Sequence, residues 1–271
     1  MMAADPAPDD PPVAIVTGAA HGIGRATAHV LLENGYRVVA VDVDLEGARE
    51  TLAGGPERGL AIAADIADPA QVAAAFAAAE QAFGRIDAAH LNAGIVSSLD
   101  PFEDVDLDEF DRVMRVNVRG TFVCLQEVFR HCRRRGAGAA VVVTGSIHGH
   151  RAATDLAAYQ VSKHALVGLV GTAAMAGAAR GIRVNGVAPG VVPTARDDGV
   201  RADMRRRSAT TPIGRAGTER EVAEVVAFLL SDASSYIVGQ MIAVDGGASI
   251  VNTVRPSGGA GAWAPPWSPQ T

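Results

Sequence analysis

Seven short apolar runs recur along the chain: VAIVTG from residue 13, RVVAVD from 37, LAIAAD from 60, IDAAHLNAG from 86, AAVVVTGS from 139, IRVNGVAPG from 182 and MIAVDGG from 241. Most are rich in β-branched residues and nearly continuous, without strict alternation, as expected of strands covered on both faces. Segments with helical spacing separate them, among them PAQVAAAFAAAEQAFG and EREVAEVVAFLLSDASS. Strand and helix in turn predict an α/β protein: a doubly wound, mostly parallel seven-stranded sheet with helices on both faces, in a single domain over residues 13–250. Residues 1–12 read as a flexible leader, and the Pro- and Gly-rich residues 251–271 as a tail.

Polar or glycine residues close these runs: Thr17-Gly18, Asp42, Asp65, Asn92, Ser146, Pro189-Gly190 and Asp245. Open α/β sheets bind ligands beyond the carboxyl ends of their strands, so the chemistry is expected along that one edge. One helical segment differs from the others. From Ala165 to Ala179 no charged residue falls on any face. A helix on the outside of a monomer keeps a polar stripe, so a neighbouring subunit is expected to cover this one. A homo-oligomer follows, with a tetramer as the expectation.

Composition adds exclusions. With 271 residues, 48% hydrophobic, 20% charged and a net charge of −6, the chain reads as globular, with no case for nucleic acid as a partner. Cys124 and Cys132 form no C-x-x-C pair, which fits a reduced cytoplasmic compartment. No His/Cys/Asp cluster has metal-ligand spacing, and no apolar run is long enough for a membrane span. Arg133, Arg134 and Arg135 precede Gly136 as a helix C-terminus would have them. Arg205, Arg206 and Arg207 read as a solvated face.

The first strand runs into Gly18-Ala19-Ala20-His21-Gly22-Ile23-Gly24 and then an amphipathic helix. In that context the glycines have a physical meaning. Without Cβ atoms the turn lets a pyrophosphate reach the free N–H groups of a helix N-terminus, the Rossmann-type arrangement. Asp42 ends the next strand, where a carboxylate accepts ribose hydroxyls and repels a 2′-phosphate. No cation follows it, so NAD is expected over NADP, with His21 and Arg25 as the counter-indications. Asp65 ends the third strand and either caps the adenine edge or caps the helix near Pro69.

Lys163 is the only lysine among 24 basic residues. Arginine replaces lysine at most solvated positions but not where a compact, rotatable ammonium is required. Tyr159 lies one helical turn earlier, on the same face. A phenol is a poor base at neutral pH, and a neighbouring ammonium lowers its pKa. These residues belong to a larger set: TGAAHGIG at 17–24, LNAG at 91–94, VNVRG at 116–120, GS at 145–146, YQVSK at 159–163, VAPGVVPT at 187–194 and VDGG at 244–247. In that order they resemble the single-domain branch of the short-chain dehydrogenase/reductase family, over about Val13 to Ala248.

The resemblance implies hydride transfer between a nicotinamide and a secondary alcohol or ketone. Tyr159 would be the general acid/base, Lys163 its electrostatic partner and holder of the nicotinamide ribose, Ser146 the donor to the substrate oxygen, and Asn117 the anchor of a water. Gly18, His21, Gly22, Ile23, Gly24, Asp42, Asp65, Ile66, Asn92, Ala93, Gly94, Tyr159, Lys163, Pro189, Gly190, Val192 and Thr194 would line the dinucleotide. The family has two asparagines before the Ala-Gly of the fourth strand. Leu91 replaces the first, which implies altered local packing with cofactor binding kept.

Residues 193–217 are charged and broken by Pro and Gly, as a substrate lid would be. His148, on the loop after Ser146, is expected to face the substrate and contact a polar or acidic group. Trp263 and Trp267 in the tail suggest docking on a neighbouring subunit. A catalytically silent dinucleotide sensor or scaffold is the rival reading, and the intact Asn-Ser-Tyr-Lys set speaks against it. A dehydratase or epimerase of the larger branch is disfavoured because no substrate domain follows.

Overall fold

A computed structural model describes residues 10–153, 155–193 and 211–251. Thr194, most of the expected lid, Arg205–Arg207 and both tail tryptophans lie outside the described residues. All seven expected strands are present: β1 (Val13–Thr17), β2 (Arg37–Asp42), β3 (Gly59–Ala63), β4 (Ala88–Leu91), β5 (Ala139–Thr144), β6 (Ile182–Pro189) and β7 (Met241–Val244). They form one sheet in the order β3-β2-β1-β4-β5-β6-β7, and every neighbouring pair is parallel.

The helices are α1 (Gly22–Glu33), α2 (Leu45–Thr51), α3 (Pro69–Phe83), α4 (Leu107–Met114), α5 (Thr121–Arg135), α6 (Ala157–Gly177) and α7 (Glu219–Leu230). Strand residues alternate between two buried layers. Ile15, Val39 and Val141 join Phe76 of α3, Val128 of α5 and Leu166 of α6. Ala14, Val16 and Val142 join Leu31 of α1 and Val226 of α7. Period-two alternation thus feeds both faces at once, and this is why the runs look continuous.

Helix ends follow local chemistry. Asp68, not Asp65, caps α3, accepting from the Ala70 and Gln71 amides ahead of Pro69 at the first helical position. Thr218 and Glu221 form a reciprocal capping box on α7. Gly136 ends α5 with φ 68° behind its three arginines. The expected leader is tied down at its end: Asp10 accepts from Arg37 at 3.0 Å and Arg85 at 3.1 Å, and the Pro12 carbonyl accepts from the Arg37 amide.

Since β2 leaves β1 on one side and β4 lies on the other, the order reverses at β1. In open α/β sheets such a reversal marks the ligand-binding place, at the carboxyl edge beside the turn after β1 and the end of β4. Among the described residues, no helix is long and apolar enough to cross a membrane.

Candidate active site at the carboxyl edge of the sheet

The glycine turn is a cradle built by exclusion. Gly18 and Gly22 have φ of +65° and +53°, strained for any residue with a Cβ. A Cβ on Gly24 would stand 2.0 Å from the Gly18 carbonyl oxygen. The turn therefore closes only with glycine at these places, and the α1 N-terminus opens onto the crevice. Ile23 packs inward against the α1 layer, so only its backbone can serve the edge.

Asn92 locks this turn from the β4 side. Its Nδ2 donates at 3.2 Å to the carbonyls of both Thr17 and Gly18. The Thr17 hydroxyl accepts from the amides of Asn92 at 3.0 Å and Ala93 at 3.2 Å. Leu91, the departure from the family pattern, is buried in the α3/α5 layer and leaves the Asn92 bonds intact.

Around the end of β2 the polar groups are organised by carboxylates. Asp42 accepts from the Ala20 amide at 2.9 Å and the Asp44 amide at 3.0 Å. His21 Nε2 stands 2.9 Å from Asp44 Oδ2. Arg25 donates to the Ala20 and Gly47 carbonyls and pairs with Glu50 at 3.2 Å. The two basic residues that argued for a 2′-phosphate, His21 and Arg25, are thus already committed to acidic or backbone partners. At the end of β3 the Asp65 carboxylate accepts from the Ala67 amide at 2.9 Å. Ile66 is buried beneath it, against Gly120.

Tyr159 and Lys163 share one face of α6, and the Ser146 loop meets them from the end of β5. Lys163 is 5% exposed, and its Nζ donates to the Thr144 carbonyl at 2.9 Å. It lies 5.5 Å from the centre of the Tyr159 ring. Burial pushes the ammonium down to about 8. The phenol moves in the opposite sense: burial raises its pKa, and a hydrogen bond with Ser146 offsets this only in part. The spacing brings the two side chains together, but the ammonium is drawn to the Thr144 carbonyl while desolvation acts on both groups, each toward its neutral form.

Asn117 lies in a π-helical turn, Arg115–Gly120, between α4 and α5. Such widened turns gather at functional sites. Its amide grips the Ile95 backbone, Oδ1 accepting from the amide at 2.8 Å and Nδ2 donating to the carbonyl at 2.9 Å. Nδ2 also donates to Ser162 at 3.0 Å, and Ser162 donates on to the Tyr159 carbonyl at 2.6 Å. A Cβ on Gly94 would stand 3.2 Å from Asn117 Oδ1 and 3.7 Å from Lys163 Nζ. The bare Gly94 backbone is what lets the end of β4 approach the α6 groups.

Ser146 accepts from the His148 amide at 3.1 Å, and its hydroxyl also bonds the Tyr159 phenol. The His148 ring presents an edge to Tyr159, 6.1 Å between centres at 72°. Gly190, after Pro189, donates to the Val244 carbonyl, and a Cβ there would strike Asp245 at 2.8 Å. Val192 packs partly against the α1/α7 layer. The edge thus gathers the expected residues that are described, with the side chains of Ile23 and Ile66 packed into the core layers. Four residues went unassigned in the sequence: Thr17, Asp44, Thr144 and Ser162. Thr17 was read only as the polar end of an apolar run, and Thr144 could have been noticed in the same way.

Comparison with known proteins agrees with this geometry. Residues 18–249 match the family model described as enoyl-(acyl carrier protein) reductase. The chain is 41% identical over 243 residues to cis-4-hydroxycyclohexanecarboxylate dehydrogenase of Sinomonas cyclohexanicum, covering 88% of this chain and 97% of that protein. The crystal structure of levodione reductase superposes with a TM-score of 0.85 at 36% identity, over 89% of this chain and 98% of that one. A 3-ketoacyl-(acyl-carrier-protein) reductase from Brucella melitensis, solved with NADH, gives 0.83 at 33% identity, over 88% and 98%. The chain belongs to the short-chain dehydrogenase/reductase family and is an oxidoreductase of that family.

Proposed function

We propose that this protein is an NAD(H)-dependent dehydrogenase/reductase that interconverts a secondary alcohol and a ketone carried on a six-membered ring. The observation that carries the reading is the meeting of Ser146, Tyr159 and a buried Lys163 beside a turn that only glycines can form. Ring substrates are suggested by the names of two similar proteins, cis-4-hydroxycyclohexanecarboxylate dehydrogenase and levodione reductase.

The cradle fits a dinucleotide: pyrophosphate on the α1 N-terminus at Gly18–Gly24, adenosine ribose on Asp42, and the nicotinamide half along Asn92–Gly94, Tyr159, Lys163 and Pro189–Val192, with Thr194 as a further candidate. When bound, the nicotinamide supplies or takes up the hydride. NAD is favoured because Asp42, Asp44 and Glu50 surround the ribose end and hold His21 and Arg25 to themselves. A 2′-phosphate would meet carboxylates there.

In ketone reduction the Tyr159 hydroxyl gives its proton to the substrate oxygen while Ser146 donates a hydrogen bond to the same oxygen. A phenol raised by burial is held in the protonated form from which this step starts. Alcohol oxidation needs the phenolate, so oxidation should quicken with rising pH and reduction should slow. Lys163 sets the electrostatics of the phenol, and Asn117 positions α6 by linking Ile95 to Ser162. His148 stands where it can contact a polar or acidic substituent of the substrate.

The protein is further proposed to be a cytoplasmic homo-oligomer. Cys124 and Cys132 are buried free thiols, pushed by burial up to about 12 and about 11. On α6, Val161 and Met175 are exposed, and nothing lies within 4 Å of a Cβ on Gly168 or Gly171. That face has room for a close neighbour, as a tetramer would supply.

The test is an assay with NAD or NADP and a panel of cyclohexanols and cyclohexanones, with absorbance of the reduced nucleotide as the signal. Turnover of ring alcohols with NAD, faster at alkaline pH, is the expected result. NADH binding without turnover of any alcohol or ketone would favour the silent sensor.

A further inference from the structure

His90 sits in the middle of the sheet, fully buried, between Val16 of β1 and Val142 of β5 in register. An aliphatic residue would suit that layer, yet an imidazole occupies it. Its Nε2 is 2.8 Å from the Thr144 hydroxyl, while its Nδ1 has no hydrogen-bond partner. A buried polar atom left unpaired costs stability, so the ring persists against the preference of its surroundings.

The directions of the hydrogen bonds can be read from their far end. Asn92 turns one end of its amide to two carbonyls, those of Thr17 and Gly18. Carbonyls only accept, so that end is the NH2 and Oδ1 faces Thr144. Thr144 must then donate to Oδ1, at 3.0 Å, and its oxygen must accept from His90. The ring consequently carries a proton on Nε2, and its buried, unpartnered Nδ1 favours the neutral form. Burial, which holds the imidazole down at about 3, keeps it so. A one-way chain runs from His90 through Thr144 and Asn92 to the carbonyls of the glycine turn. The carbonyl of the same Thr144 receives the Lys163 ammonium.

We propose that His90 is a positioning residue: by orienting the Thr144 hydroxyl it locks Asn92 onto the glycine turn and fixes that turn relative to Lys163. This rests on the reading of the crevice as a dinucleotide site. Wild-type NADH affinity therefore comes first, and its absence would count against that reading and not against the hydrogen-bond chain.

The experiment measures NADH dissociation constants by fluorescence, KM and kcat with NAD, and melting temperature for His90→Val, His90→Asn and His90→Gln. Glutamine can bring an N–H to the place of Nε2, whereas asparagine is too short and valine has none. His90→Val should weaken NADH binding and raise the KM for NAD about tenfold, the effect of one strong hydrogen bond, with the melting temperature unchanged or higher. His90→Asn should behave like valine, and His90→Gln should return within about threefold of wild type. A residue that only fills space would lower melting temperature and activity together and would not be rescued by glutamine. Should His90→Val fail to fold, Thr144→Val removes the hydroxyl and keeps the carbonyl for Lys163, and it should show the same loss of NADH affinity. Wild-type NADH affinity in His90→Val or Thr144→Val, or no rescue by glutamine, overturns the proposal.

Discussion

The two edges of the sheet treat buried charge in opposite ways. At the amino edge, Asp87 opposes the cost of its burial with Arg85 at 2.7 and 2.8 Å, the Val13 amide at 2.9 Å and Arg135 at 2.7 Å. The outcome is a carboxyl held below its ordinary range and an Arg85 held above its own. Every partner favours the ionised form. At the carboxyl edge, the Lys163 ammonium donates to the Thr144 carbonyl and is pushed down to about 8, and Tyr159 is pushed up. Both are driven toward neutrality. One edge uses its charges to hold the strands together; the other holds a phenol and an amine whose pKa values are displaced by burial, as groups at functional sites often are.

The sharpest way to break this contrast is to remove the reactive groups. Tyr159→Phe should lower kcat/KM by about 10²–10⁴-fold, the range of general acid–base catalysis, with little change in melting temperature. Lys163→Arg should lower turnover steeply and leave NADH binding measurable by fluorescence, because a planar fork cannot take the place of the compact ammonium. Unaltered turnover in either variant would mean that the carboxyl edge is not organised for chemistry.

The next effect is on stability, and its sign follows from linkage. The folded pKa of Lys163, about 8, lies below its ordinary 10.5, so between these values the unfolded chain binds the extra proton. Stability must rise with pH across that window, and the penalty for burying the ammonium is fully present below it. The penalty is on the order of 3 kcal/mol. Against Lys163→Met, which does not titrate, the wild type should therefore gain stability between about pH 8 and 10.5, as read from denaturant midpoints at each pH. A constant difference across that window would contradict the desolvation argument.

What could be read in the sequence divides along similar lines. The strands, their parallel order and the cradle were legible because each depends on residue type: β-branched runs need two covered faces, and Gly18 and Gly24 occupy places where no Cβ fits. Lys163 was legible because arginine has replaced lysine everywhere else. Tertiary direction was not. Spacing puts Lys163 beside Tyr159 but cannot reveal that its Nζ turns to the Thr144 carbonyl, or that burial acts strongly on both groups. Asp65 and Asp68 are both plausible caps in sequence, and only the backbone path selects Asp68. The π-helical turn at Arg115–Gly120 leaves no signature, since its residues suit an ordinary helix as well. His90 was hidden inside an apolar run whose pattern cannot show which polar group lies across the sheet.

At the amino edge the prediction is the converse of the catalytic one. Asp87→Asn should cost about 2 kcal/mol, because Arg85 and Arg135 then remain partly buried without their carboxylate. It should leave kcat/KM within about twofold. Its pH signature also has a fixed sign. A carboxyl with a lowered folded pKa stabilises the protein above its ordinary pKa and loses that contribution as pH falls through the folded value. Wild type and variant should therefore converge in acid, as followed by urea midpoints from neutral pH downward.

The smallest expected effect lies where the two kinds of design meet, at His148. Its backbone is structural, donating to Ser146, while its ring edges onto Tyr159 at the mouth of the crevice. A substitution that keeps the backbone separates the two roles. His148→Leu should retain turnover of unsubstituted cyclohexanol and the melting temperature, since the amide bond to Ser146 remains. The preference for 4-hydroxycyclohexanecarboxylate over cyclohexanol, as a ratio of kcat/KM, should fall about tenfold, the worth of one hydrogen bond to a charged group. An equal fall for both substrates would instead make the ring a support for Tyr159, and an unchanged ratio would assign recognition of the substituent to other residues of the edge.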